Sequence, residues 1–255
     1  MIADPPYATR TAPTCAWCEQ PLAHGPLRAF GQLRCDHCGA TTALDWPSER
    51  EPPRLALAPV AQVRGAQRIC TLGEAARRRL RRRLATRIAR VAPPGPVLDV
   101  GSGDRMLLDA LRATGRLTTG IVSGRPGAAA RSGLQEVEIT ELGGRYAAIV
   151  FWQSLGRLRA PGVALEHAAA LLKPGGLLAI AQPSPARMQA RALGERLIAP
   201  GSPQHRVVIP PHTLMERLRA LGLQVDRIDH LLDLPTAGGW VQSVLGGVTA
   251  IEARR

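Results

Sequence analysis

The chain has 255 residues, 45% of them hydrophobic, which is enough for one full α/β domain plus a small module. Aromatic residues make up only 3%, so the core must be Leu, Val, Ile and Ala, and a base-stacking platform is disfavoured. The net charge of +13 suits nucleic acid or another anionic partner, but Lys173 is the sole lysine, and the arginine excess also reads as a compositional habit beside abundant Ala, Gly and Pro.

The first residues, Met1 to Pro6, lack the apolar stretch of a secretion signal. No apolar run approaches the ~18–20 residues needed to span a bilayer. A reducing, cytoplasmic setting is the expectation. Residues 1–46 read as a small module. Cys15-Ala16-Trp17-Cys18 and Cys35-Asp36-His37-Cys38 stand sixteen residues apart. Each CxxC turn can point two thiolates at one ion, and two such turns complete a closed, structural Zn²⁺ site of the ribbon type. The competing reading is a pair of free dithiols. Gly39 suits the tight backbone after the second pair. Residues 27–30 and 32–34 read as short strands, and His24 and His37 as solvated loop residues.

Residues 47–71 form a linker stiffened by Pro47, Pro52 and Pro53. Its last part gives no clear signal, and Cys70 reads as a small buried side chain. Residues 73–92 form the clearest helix. Ala76, Leu80, Leu84, Ile88 and Val91 recur at helical spacing, and the other faces are almost wholly arginine. Pro93-Pro94-Gly95 stops it. Two readings of the arginines stand. They are the solvated face of a packed helix, or an electrostatic footprint for RNA or another partner.

The remainder, 72–255, alternates strands and helices. Pro96-Val97-Leu98-Asp99-Val100-Gly101-Ser102-Gly103-Asp104 is an apolar run ending in an acid and two glycines. It reads as strand, tight turn, helix, a turn that lets a ligand approach the backbone. A helix follows over 106–113 with Met106, Leu107, Ala110 and Leu111 inward. Strands are expected over 117–122, 134–139, 147–152, 177–181, 223–228 and 241–253. Helices are expected over 128–132, 163–172 and 213–221, and a turn at 173–176. This pattern predicts an α/β, doubly wound, largely parallel sheet.

Val97-Leu98-Asp99-Val100-Gly101-Ser102-Gly103 resembles the first motif of class I S-adenosylmethionine (SAM)-dependent methyltransferases. Leu171-Leu172-Lys173-Pro174-Gly175-Gly176 is similar to the turn before their fifth strand, and the segment from Phe151 to Leu155 to the one after their fourth. Pro203-Gln204-His205-Arg206, Pro211-His212-Thr213-Leu214 and Ala220-Leu221-Gly222-Leu223 are similar to the tail of a branch that often carries an N-terminal zinc ribbon. The resemblance covers about residues 14–46 and 72–230. It implies a Rossmann-like methyltransferase sheet, SAM as cofactor and structural Zn²⁺ on Cys15, Cys18, Cys35 and Cys38. Cofactor contacts are implied at Asp99, Gly101, Ser102 and Gly103, at Val122 and Ser123, and at Trp152 and Gln153. The implied acceptor is a small molecule or saccharide-type intermediate. His205 is the best single candidate for a catalytic group, with a solvated loop histidine as the competing reading.

The chain departs from the family pattern at five positions. Arg105 replaces a small residue and either crowds the cofactor or points outward. Val122 stands where an acid binds the ribose hydroxyls. Ala147 replaces an Asp, and Gly156 and Arg157 replace an acid and a His. A methyltransferase-like binding or scaffold protein without SAM turnover is therefore the alternative reading. A third is RNA methylation using the ribbon and the arginine helix. A nicotinamide dinucleotide site is disfavoured, because Met106 stands where its motif needs glycine.

Overall fold

The computed structural model describes residues 13–22, 32–44, 66–103, 105–122, 134–183, 205–232 and 247–255. Strands β1 (Gln32–Arg34) and β2 (Thr41–Ala43) form a hairpin. Two apolar runs then set the centre of the large sheet. β3 (Val97–Val100) is buried at every position, and β6 (Tyr146–Trp152) at all but its ends. Strands without a polar face belong mid-sheet, covered on both sides. Outside them lie β4 (Thr118–Val122) and β5 (Gln135–Glu136) on one flank. β7 (Leu172–Pro183), β10 (Gly247–Arg254) and β9 (Gln224–Leu232) follow on the other. The order is β5-β4-β3-β6-β7-β10-β9, parallel except for β10, which is antiparallel to both its neighbours. The chain steps outward from β3 through β4 to β5, then returns as β6 on β3's other side. That reversal opens a crevice at the carboxyl ends of β3 and β6.

Alternation along the strands sorts the two faces. Ala148 and Val150 join Leu177 and Ala179 under α1 (Ala66–Val91) and α2 (Met106–Arg112). Ile149 and Phe151 join Leu178 and Ile180 under α3 (Pro161–Leu171) and α4 (Pro211–Ala220). Arg116 caps α1 from outside. Its guanidinium donates to the carbonyls of Ala89, Ala92 and Pro93 at 2.8, 2.9 and 2.6 Å, satisfying helix-end acceptors that otherwise lack donors. No helix among the described residues is long and apolar enough to cross a membrane.

The small hairpin is not a separate body. β2 pairs antiparallel with β8 (Val207–Val208), Thr42 opposite Val207 and Thr41 opposite Val208. Cys15, Leu22, Leu33, Cys35 and Ala40 share one core with Leu165, Leu214 and Phe151.

Several expectations need correction. α1 begins at Ala66, inside the stretch read as linker. The third strand shrinks to Gln135–Glu136, because Ile139 turns into the core within a 3-10 turn, Ile139–Glu141. In α2 the buried residues are Leu107, Leu108 and Leu111, since Leu108 reaches across to Val122 and Leu134. Residues 173–176 are a bulge inside β7 rather than a separate turn. Tyr146 pairs with Leu172 and Ala148 with Leu177, and Gly175 takes up the slack at φ 69°. The strand expected at 27–30 and the helix at 128–132 lie outside the described residues.

One ion pair ties α1 to the sheet. Arg87 donates to both carboxylate oxygens of Glu252 on β10, at 2.6 and 2.7 Å, and the Glu252 side chain is only 8% exposed. Replacing Arg87 by Leu strands a buried carboxylate and is expected to cost about 2 kcal/mol. Replacing both partners by Leu is expected to cost less than Arg87→Leu alone. Urea unfolding of the three variants measures both figures.

Candidate metal centre and active site

Cys15, Cys18, Cys35 and Cys38 bring their Sγ atoms within 4.8 Å of one another. Cys15 Sγ lies 3.7 Å from Cys38 Sγ, and Cys18 Sγ 3.6 Å from Cys35 Sγ. A disulfide needs ~2.05 Å, whereas a tetrahedral Zn²⁺ with Zn–S of ~2.3 Å places its sulfurs ~3.8 Å apart. The donor set and spacing fit zinc. Burial pushes the Cys18 and Cys38 thiols up, and neighbouring cysteines add to the shift, so a cation is needed to hold the cluster as thiolates. His37 is exposed, and His24 lies outside the described residues.

The two knuckles repeat with an offset of twenty residues. Cys15 N–H donates to Gln20 and Glu19 N–H to Cys15, each at 2.9 Å; Cys35 with Ala40 and Gly39 with Cys35 do the same at 2.8 Å. The equivalent residues Glu19 and Gly39 both have left-handed backbone, φ 61° and 71°. Glycine takes this conformation without strain; glutamate does not.

At the crevice, Gly101 ends β3 with φ 77°, and its N–H donates to Ile121 at 2.8 Å. A Cβ at Gly101 would sit 2.4 Å from Ser154 Cβ, so the turn after β3 and the loop after β6 touch only because Gly101 has no side chain. Ser102 donates its hydroxyl to the Asp99 carbonyl at 3.1 Å, and both are buried. Among the described residues only the Gly101 carbonyl, at 3.8 Å, comes within 4 Å of a Cβ added at Gly103. Arg105 adopts φ 56°, with its Nη2 3.4 Å from Asp109 on α2 and its Nε buried beside the turn.

Three buried polar atoms lie around the end of β6 without a partner among the described residues: Trp152 Nε1 on β6 itself, Ser154 Oγ in the loop that follows and, from the segment before β8, His205 Nε2. The Arg81 guanidinium lies 3.9 Å from the Trp152 ring centroid and is 5% exposed, a cation–π contact away from water. One arginine of the basic helix therefore serves the cleft wall. Gln153 has φ 52°, and its N–H donates to Ala181 at 2.7 Å. Its backbone also hydrogen-bonds the His205 ring. His205 is 7% exposed, which rules out the solvated-loop reading. Gly156 packs against Val207, whose carbonyl would lie 2.3 Å from an added Cβ. Thr213 donates its hydroxyl to the Cys38 carbonyl at 2.7 Å. The cysteine cluster, β8 and the loop after β6 thus form one run of contacts, which no local sequence signal announced.

Residues 74–228 match the family model described as a methyltransferase domain. The chain belongs to the SAM-dependent methyltransferase family. No curated protein matches the sequence of this methyltransferase. Similar solved structures include the glycopeptide N-methyltransferase MtfA complexed with SAM, at 16% identity, covering 68% of this chain and 86% of that one, with a TM-score of 0.48. They also include magnesium protoporphyrin IX methyltransferase (ChlM) from Synechocystis PCC 6803 with bound SAH, at 16% identity, 76% and 89% coverage and a TM-score of 0.49. The [4+2]-cyclase SpnF is similar at 21% identity, with 68% and 80% coverage and a TM-score of 0.49.

The methyltransferase crevice fits SAM at one end better than the other. Among the described residues, the room beside Gly103 and the Ser154 hydroxyl, which finds no partner there, suit a polar group against the turn. Val122 offers nothing to a ribose diol. It is 8% exposed and packs with Leu108 and Leu134. Ser123 lies outside the described residues.

Metal analysis of this methyltransferase is expected to find one zinc per chain. Cys38→Ser should release it and lower the melting temperature, because β2 anchors β8. An unchanged melting temperature after complete chelation would contradict that role. Burial, with Arg157 nearby, pushes His205 down to about 3, against an unfolded value near 6.5. Protonation therefore favours the unfolded chain, and stability falls as pH drops from about 6.5 toward 3. Between pH 6.5 and 5 the native protein should lose about 1.6 kcal/mol more than His205→Gln, read by urea titration at both pH values.

Proposed function

We propose that this protein transfers the SAM methyl group to a small-molecule or saccharide-type acceptor in a reducing, cytoplasmic setting, with Zn²⁺ on Cys15, Cys18, Cys35 and Cys38 as a structural ion. The observation that carries this reading is the contact of Gly101 with Ser154 at the carboxyl ends of β3 and β6. SAM supplies an electrophilic methyl group on a sulfonium. Asp99, Gly101, Ser102 and Gly103 would line its methionine end, with Val122 and Ser123 along the ribose, and Trp152 and Gln153 would complete the cofactor contacts. The task left to these residues is alignment and exclusion of water, since methyl transfer to a good nucleophile needs in-line approach more than a proton carrier. Arg81 over Trp152 closes one side of that wall. His205, neutral and buried, positions Gln153 through its backbone.

Val122 within its apolar cluster favours a second reading, a methyltransferase-like scaffold that binds no SAM. Calorimetric titration with SAM and its demethylated product separates the two. Binding by the native protein is expected, and Val122→Asp should tighten it tenfold or more, since a charge-assisted hydrogen bond is worth about 1.5–3 kcal/mol. No heat from either protein at millimolar ligand leaves the scaffold reading standing.

A further inference from the structure

The outer side of α1 carries a feature that methyl transfer does not use. Arg79, Arg82, Arg83, Arg87 and Arg90 recur at the spacing of one helical face. With Thr86 they line an open groove of about 440 Å³. Glu252 engages Arg87. Arg79, Arg82, Arg83 and Arg90 are exposed and make no ion pair among the described residues. Four like charges along one face repel one another, and an anion laid along them relieves that repulsion.

The shape of the stripe narrows the anion. Arg79 and Arg90 lie eleven positions apart, about 16 Å along the helix. That length exceeds a single phosphate or diphosphate and suits a strand whose phosphates recur every few ångströms, ~3.4 Å per strand along a duplex axis. The planar guanidinium fork matches phosphate oxygens. Among the described residues the exposed large hydrophobics are Leu44, Leu117, Val163 and Ile228, none of them between Arg79 and Arg90, so the stripe itself carries no apolar anchor for a bilayer or a protein groove. It also holds no aromatic residue, so bases would go unread. We propose that this face of α1 docks the phosphodiester backbone of a nucleic-acid strand, independently of base sequence and of the cofactor crevice.

The test is fluorescence-anisotropy binding of a labelled 20-nucleotide oligo-U and oligo-dT to the full chain over a salt series. Four neutralised phosphates predict a slope of log K against log salt of about −3, similar for both oligonucleotides. Arg82→Gln with Arg83→Gln should make the slope shallower by about 1.4, and Arg82→Lys with Arg83→Lys should restore most of it. Arg112→Gln with Arg219→Gln removes the same charge elsewhere and should leave the slope unchanged. Equal losses in the two Gln pairs would reduce the effect to net charge and overturn the proposal. So would competition by inorganic tripolyphosphate as effective, per molecule, as unlabelled oligonucleotide, or a preference for phosphatidylglycerol vesicles. Circular dichroism confirms that each variant keeps its helices. SAM binding is not part of the readout, so failure here and failure of the methyltransferase reading remain distinct.

Discussion

Four sulfurs within 4.8 Å of one another cannot all be thiolates unless a cation sits among them. Much of the cleft's second wall depends on that constraint. Cys35 and Cys38 flank the tight turn between β1 and β2. β2 carries β8, and the carbonyl of Val207 in β8 lies against Gly156. The same segment brings His205 to the backbone of Gln153. The four-cysteine cluster is thus linked through β2 and β8 to the loop after β6 without touching the crevice itself.

The opposite wall rests on an absence of side chain. Gly101 lets the turn after β3 reach the loop after β6, and any Cβ there would displace Ser154. The two walls meet from different layers. The turn feeds α2 on one face of the sheet, and the loop leads on to α3 on the other. α1 then contributes to both the inside and the outside of the molecule. Arg81 turns inward over Trp152, while Arg79, Arg82, Arg83 and Arg90 stay in water.

The parts of this arrangement set by short-range chemistry were legible in the sequence. The cysteine spacing marked the four-cysteine cluster, the glycines after an apolar run marked the turn, and the strand–helix alternation marked the sheet. What escaped was long-range or conformational. Residues 66–72 continue α1 although Thr71 and Gly73 weaken any helical pattern there. His205 reads as a loop residue until β8 is paired with β2, a contact across more than 160 positions. Glu19 gave no sign of its left-handed backbone, which shows only when the second knuckle is laid over the first. Arg81 looked like its neighbours on a basic helix, since the composition hides one inward arginine among many.

The ion pair between Arg87 and Glu252 has a consequence for how the molecule is made. Its partners are 165 residues apart, and Thr213 and Cys38 are separated by 175. Helix α1 leaves the ribosome long before the strand that neutralises Arg87 exists, and the cysteine knuckles emerge long before β8. Contacts of such span close late and slowly. The segments that carry the cysteines and the arginines are therefore made before the strands that pack against them, and Arg87 has to wait for Glu252 before its charge is matched inside the fold.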